Sequence, residues 1–135
     1  MVTEEQVMNL ILQKFPSFND AWEKHLAWWE NDKPGLCNDI SVFSRYVIEL
    51  IQKGESEEKL KEIFTFVEKL MNEGSQKVQE AVATCFLENL INATSWETIS
   101  PASFVNLLGP ESKEYCKAWD EFTKVKTAGL WDDKK

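Results

Sequence analysis

Helix punctuation constrains this chain more than any other feature. Asn38, Ser56 and Ser75 can each cap a helix N-terminus, they recur 18 and 19 residues apart, and an apolar stripe follows each. A cap followed by apolar residues at three- and four-residue steps specifies a helix with one buried face. From Asn38 or Asp39 the stripe is Ile40, Phe43, Val47, Leu50 and Ile51, closed by Gly54 as a left-handed C-terminal cap. From Ser56 it is Leu60, Ile63, Phe64, Val67, Leu70 and Met71, with Gly74 expected to close it in the same way. From Ser75 it is Val78, Val82, Cys85, Phe86 and Ile91, widened by Ala81, Leu87 and Leu90. A face that broad predicts a central helix touched from two sides.

The flanks follow the same grammar. Thr3 and Gln6 stand at capping-box spacing before Val7, Leu10, Ile11 and Phe15, and Pro16 ends that helix. Ser17 is the expected cap of the next, whose face would carry Phe18, Trp22, Leu26 and Trp29 and which should end within 31–35, where Pro34 and Gly35 break it. Pro101 can start a short helix through Leu108, and Pro110 the last helix, with Tyr115, Trp119 and Phe122 on its stripe. No run of strand-type alternation bounded by hairpin turns appears. The expected fold is all-α, with about six to seven helices. Two helices with their turns span about 37 residues, inside the range of helical repeats, so antiparallel hairpins could stack as a HEAT-like right-handed α-solenoid or close into a compact helical bundle. Residues 1–126 read as one domain and 127–135 as a short, frayed or loosely docked tail.

Of the 135 residues 43% are hydrophobic, with eight Phe and six Trp, enough for one self-sufficient core and far from a disordered composition. The formal net charge of −8 disfavours nucleic acid and anionic membranes as partners and favours a basic one. Cys37, Cys85 and Cys116 are odd in number and widely spaced, and read as thiols, not as a disulfide framework or a zinc knuckle. With no apolar run of about 18 residues and no basic leader, a reduced, cytoplasmic protein, monomeric when free, is expected.

Chemistry-bearing patterns are sparse. His25 is the only histidine, which rules out a two-histidine metal site, and it reads as a boundary residue of its helix. No Gly-rich phosphate loop, Cys-x-x-Cys pair or calcium loop is present, so no cofactor is expected. Glu58 with Glu62, and Glu111 with Glu114, share helix faces, but Lys61 stands one turn from Glu57 and Glu58, and anions suit the start of the last helix. These carboxylates therefore read as structural and the chain as a non-enzyme. Glu88, inside an apolar run, reads as a bond to a neighbouring helix or loop. Two clusters suggest recognition: Trp28, Glu30 and Asp32 in the Trp-Trp-Glu-Asn-Asp run, and Glu55, Glu57, Glu58 and Glu62 in the densest acidic stretch. An exposed Trp rimmed by acids is an anchor for a basic protein surface.

The stretch Leu60 to Leu90, with Ile63-Phe64, Val67-Glu68, Leu70-Met71, Val82 and Phe86-Leu87-Glu88-Asn89-Leu90, resembles all-helical bacterial immunity proteins of contact-dependent inhibition and related polymorphic toxin systems. Leu108-Gly109-Pro110-Glu111-Ser112 and Tyr115 to Trp119 are similar as well, so the likeness spans residues 38–122 and rests on packing positions. It implies a protein that binds a cognate toxin domain, often a cationic nuclease, and occludes its active site. The interface residues of such proteins differ from pair to pair, so none is carried over. The alternative is a HEAT-like adaptor that takes a peptide or helix in an apolar groove.

Overall fold

Ser56 and Ser75 do what their positions predict: each hydroxyl oxygen accepts a hydrogen bond from the backbone N–H three residues on, Lys59 at 3.2 Å and Val78 at 3.3 Å. Around these caps the computed structural model, which describes residues 1–30, 32 and 34–131, is helical throughout. In chain order α1 spans Glu4–Lys14, α2 Asn19–Trp29, α3 Leu36–Gln52, α4 Glu57–Glu73, α5 Gln76–Val82, α6 Glu88–Ser95 and α7 Pro110–Thr123. Three-residue 3-10 turns stand at Pro16–Phe18, Pro101–Ser103 and Val105–Leu107, so the short helix expected from Pro101 is two such turns. The only β-type contact among the described residues is an isolated bridge between Val2 and Gly74.

The segment from Ser75 to Ser95 is the predicted central helix, interrupted by one wide turn. Between α5 and α6, Ala83–Leu87 is π-helical: the Glu88 N–H donates five residues back, to the Ala83 carbonyl. The Asn89 side-chain amide donates to the Cys85 carbonyl at 2.8 Å and to the buried Ser44 hydroxyl of α3 at 3.0 Å. Widening lets Ala83, Cys85, Phe86 and Leu87 all lie inside, where a regular helix would turn one of four outward. Aromatic rings run through the core from Phe18 to Phe43, Phe86, Phe64 and Phe104, with successive centroids 5.3–6.0 Å apart. Each fully buried ring contributes about 2–3 kcal/mol by burial, and each pair about 1 kcal/mol more.

Packing is not confined to sequence neighbours: α1 also touches α5, and α7 lies on α4. A solenoid repeat contacts only the repeats beside it, so the bundle alternative is the one adopted. The N-terminus is stitched in as well, with the Val2 N–H donating to the Glu73 carbonyl at 2.9 Å and the Ser75 N–H to the Val2 carbonyl at 2.8 Å.

Five local expectations are corrected. Neither Asn38 nor Asp39 caps α3, which already begins at Leu36 behind Gly35, with Asn38 Nδ2 donating to the Pro34 carbonyl at 3.2 Å. Gly74 is not a left-handed cap: its φ is −74°, and glycine is required because a Cβ would lie 2.6 Å from the Leu70 carbonyl oxygen and from Val78 Cγ1. Gly54, at φ +79°, has the conformation expected of it. Ser17 does not cap α2; it sits inside a 3-10 turn, where its hydroxyl hydrogen-bonds the Tyr46 hydroxyl and accepts from Lys59 Nζ at 3.3 Å. The chain beyond Lys126 is docked, with Thr127 and Leu130 buried, because the carboxylate of the fully buried Asp120 accepts from the Thr127 N–H, the Thr127 hydroxyl and Trp131 Nε1 at 2.7–2.9 Å. Residues 132–135 of the expected tail lie outside the described residues. Finally, Cys37 and Cys85 are bonded to each other, with Cα atoms 5.5 Å apart, which corrects their reading as thiols and removes the cysteine argument for a reducing compartment. Sequence spacing could not show that the first turn of α3 meets the π turn 48 residues on.

Cys116 remains a buried thiol. Burial, with the charges of Asp120 and Glu88 added, pushes it up to about 12, so it is inert at neutral pH. No helix among the described residues is long and apolar enough to cross a membrane.

Candidate functional site

Among the helices, α2 is the one with no fully buried residue. Phe18, just before it, is buried, and the helix then rests on a ladder of rings: Phe18 to Trp22 at 6.2 Å, Trp22 to His25 at 5.4 Å and His25 to Trp29 at 6.5 Å. The inward face therefore steps through 18, 22, 25 and 29. The expected stripe carried Leu26 in place of His25, yet Leu26 is 48% exposed. Positions 25 and 26 both lie within one turn of Trp22 and Trp29, and it is His25 that faces inward, where Asp39 of α3 meets the imidazole.

His25, expected at the boundary, has a side chain only 7% exposed. Its Nε2 lies 2.9 Å from Asp39 Oδ1, on the first turn of α3. Sequence reading missed this pair, although the 3-4 spacing of Trp22, His25 and Trp29 was a usable signal. Among the described residues no hydroxyl or thiol is hydrogen-bonded to His25, so the pair lacks the nucleophile of a Ser-His-Asp or Cys-His arrangement. No group of three or more His, Cys, Asp or Glu among the described residues is placed to hold a metal ion.

Two open clefts of about 500 Å³ each flank His25. The first runs between α2 and α3 and carries mixed charge, with Lys24, Arg45 and Glu49 beside Trp28 and Tyr46. The second lies between the start of α1, α2 and the start of α3, and is walled by Trp22, Leu26, Trp29 and Leu36 with Glu4, Glu5, Asp32 and Asp39. Trp28 stands at the first cleft, 81% exposed.

The sequence-predicted residues fall into three places. Trp28, Glu30 and Asp32 gather at the end of α2: Glu30 caps the helix with φ +56° and is exposed, Asp32 lines the second cleft, and Asn31 of that run lies outside the described residues. Glu55 and Glu57 line a shallow groove facing Ala102 and Leu107, where Glu55 also accepts from the Ser56 N–H at 3.1 Å. Glu58 and Glu62 lie on another side of α4, beside Lys14 and Lys61. Neither cleft beside His25 includes any of the α4 carboxylates. The expected pairing with Lys61 does not form: among the described residues Glu57, Glu58 and Glu62 make no ion pair, and the Lys24–Asp20 bridge at 3.5 Å joins two exposed side chains on α2.

Two further carboxylates that reasoning from sequence could have placed in a site are structural. Glu88 accepts from the Tyr115 hydroxyl, the helix-to-helix bond expected of it, and burial with this acceptor pushes Tyr115 up to about 12. Glu68 accepts from the backbone N–H groups of Glu111 and Ser112, each at 2.9 Å, from the Ser112 hydroxyl at 2.8 Å and from Asn72 Nδ2 at 3.0 Å. Burial raises its pKa, but these donors outweigh it, Ser112 and Glu111 foremost, and hold the carboxyl below its ordinary value. Glu68 thus caps α7 from another helix, and Gly109 is required there because a Cβ would lie 2.4 Å from the Glu68 carboxyl carbon.

The fold is a compact all-α bundle with one outer helix raised on aromatic rings between two clefts. Residues 8–124 match the family described as Domain of unknown function (DUF7674), and the chain belongs to that family. No curated protein and no solved structure matches the chain significantly.

Proposed function

We propose that the chain is a binding protein that neutralises a basic partner domain, in the manner the likeness to immunity proteins implies. The observation that carries this reading is Trp28, a large indole 81% exposed at the edge of a cleft on the most loosely packed helix. A fully exposed Trp gains nothing from the fold, whereas in an interface it is the residue type most often found to anchor a partner. The carboxylates of Glu57, Glu58 and Glu62, which make no ion pair among the described residues, support the choice of a cationic surface, such as that of an RNase or DNase domain. Occlusion requires no chemistry from the inhibitor: Trp28 fills a pocket, the surrounding acids, Glu30 and Asp32 first, steer the approach, and the toxin's active site is covered. In this reading the protein acts in the cytoplasm of the producing cell, as a monomer until the toxin binds.

The test is a growth assay in which the chain is co-expressed with the variable C-terminal domain of the secreted protein encoded immediately upstream. The chain restores growth, and Trp28→Ala at equal abundance does not, its affinity falling by about 30-fold as expected for a hot-spot residue. A chain that leaves the toxin active, or a locus without such a reading frame, overturns the proposal.

A further inference from the structure

We infer that the second cleft receives an arginine side chain of the partner, packed against the indoles of Trp22 and Trp29 that line it; this rests on the proposal of a basic partner. Two features of the cleft are independent of that proposal. The first is its shape: about 500 Å³ of open space with the half-buried indoles of Trp22 and Trp29 in its wall, the His25 ring next to both, and Leu26 and Leu36 beside them. The second is its charge. Glu4 and Glu5 at the start of α1, Asp32 after α2 and Asp39 on α3 converge on it from three elements, and no lysine or arginine among the described residues lines it.

The neighbouring cleft supplies the internal comparison. It has the same volume and shares His25 and Trp29, yet it carries Lys24 and Arg45. Negative charge is therefore local to the second cleft and not a uniform consequence of an acidic chain. Asp39 is committed to His25, and among the described residues Glu4, Glu5 and Asp32 form no ion pair, so three carboxylates remain free to meet a cation. Aromatic faces attract a guanidinium through their quadrupole, and carboxylates at the rim accept its N–H donors in forked geometry. A neutral apolar side chain would fill the same walls but leave the three carboxylates without partners. Arginine suits the cleft better than lysine because its planar head both stacks and forks.

The experiment uses the full chain and two acetylated, amidated tetrapeptides, Ala-Arg-Arg-Ala and the same peptide with citrulline, whose uncharged side chain has nearly the same shape as arginine. Binding is read from the indole N–H signals of Trp22 and Trp29, assigned with single Trp→Phe variants. Expected is a saturable shift of both signals with the arginine peptide, weaker by at least about tenfold with citrulline, and reduced by added salt. The double variant Glu4→Gln, Glu5→Gln loses the discrimination while its remaining signals stay in place, and Trp96→Ala, at an exposed indole that does not line the cleft, keeps it. Equal response to both peptides would assign the cleft to a neutral occupant and overturn the inference, as would a shift that appears with protein concentration alone, which signals a second copy of the chain. Failure here leaves the toxin assay standing, and failure of that assay leaves the arginine response standing.

Discussion

α2 and α7 are both outer helices of similar length, but they are held by opposite means. α7 is fixed at both ends by acids that arrive with their donors already in place. Glu68 seizes the first two N–H groups and the Ser112 hydroxyl, and buried Asp120, near its C-terminus, binds the returning segment through Thr127 and Trp131. α2 buries nothing completely and rests on rings, with the His25–Asp39 contact joining it to α3. Directional bonds to ionised acceptors fix one geometry, while tilted and edge-on ring contacts permit small slides at little cost. The lesson is that the helix offering Trp28 is the one whose attachment tolerates adjustment to a partner.

The hardest test of this contrast is the covalent one. Reducing Cys37–Cys85, or replacing both by serine, detaches the start of α3, and hence the floor under α2, from the central π turn; the loss expected from a loop of this length is about 4 kcal/mol of unfolding free energy, read as a lower denaturant midpoint. An unchanged midpoint would show that the bond contributes no restraint. Asp120→Ala orphans three buried donors and should cost about 3 kcal/mol, with the segment after Lys124 becoming susceptible to protease while α2 is unaffected.

Glu68→Gln should cost about 1–2 kcal/mol at neutral pH and speed amide exchange at Glu111 and Ser112. Because its folded pKa is depressed, its contribution is complete above the ordinary carboxyl value of 4.5 and is lost as pH falls through the lower folded value. The wild type should therefore lose more stability than Glu68→Gln on acidification below pH 4.5, and parallel acid curves would dismiss the cap. Smallest is His25→Ala, about 1 kcal/mol, visible as faster exchange along α2 with α7 unmoved. Equal acceleration in both helices would erase the distinction between them.

What could be read from the chain divides along the same line. Ser56, Ser75, Gly54 and the stripes of α3 and α4 are local devices, each acting within a turn or two of its own position, and these stood in the sequence. The Glu68 cap acts across 43 residues and the disulfide across 48, and nothing in the neighbourhood of either partner announces the other. Gly74 looked like Gly54 because glycine serves both for positive φ and for close approach, and only packing separates the two uses. In the site, Trp28 was identified from its place beside Trp29, but His25 took the inward place expected of Leu26, because both positions lie within one turn of Trp22 and Trp29 and only the Asp39 contact across to α3 separates them. The clefts themselves were invisible, since they are the spaces between α1, α2 and α3.

The bond between Cys37 and Cys85 closes a covalent ring that encloses nearly all of α3 and the whole of α4 and α5. A single cut at the exposed turn around Gly54 opens the ring but frees neither half. Such a clipped molecule would keep its full mass on a non-reducing gel and fall into two pieces only when thiol is added.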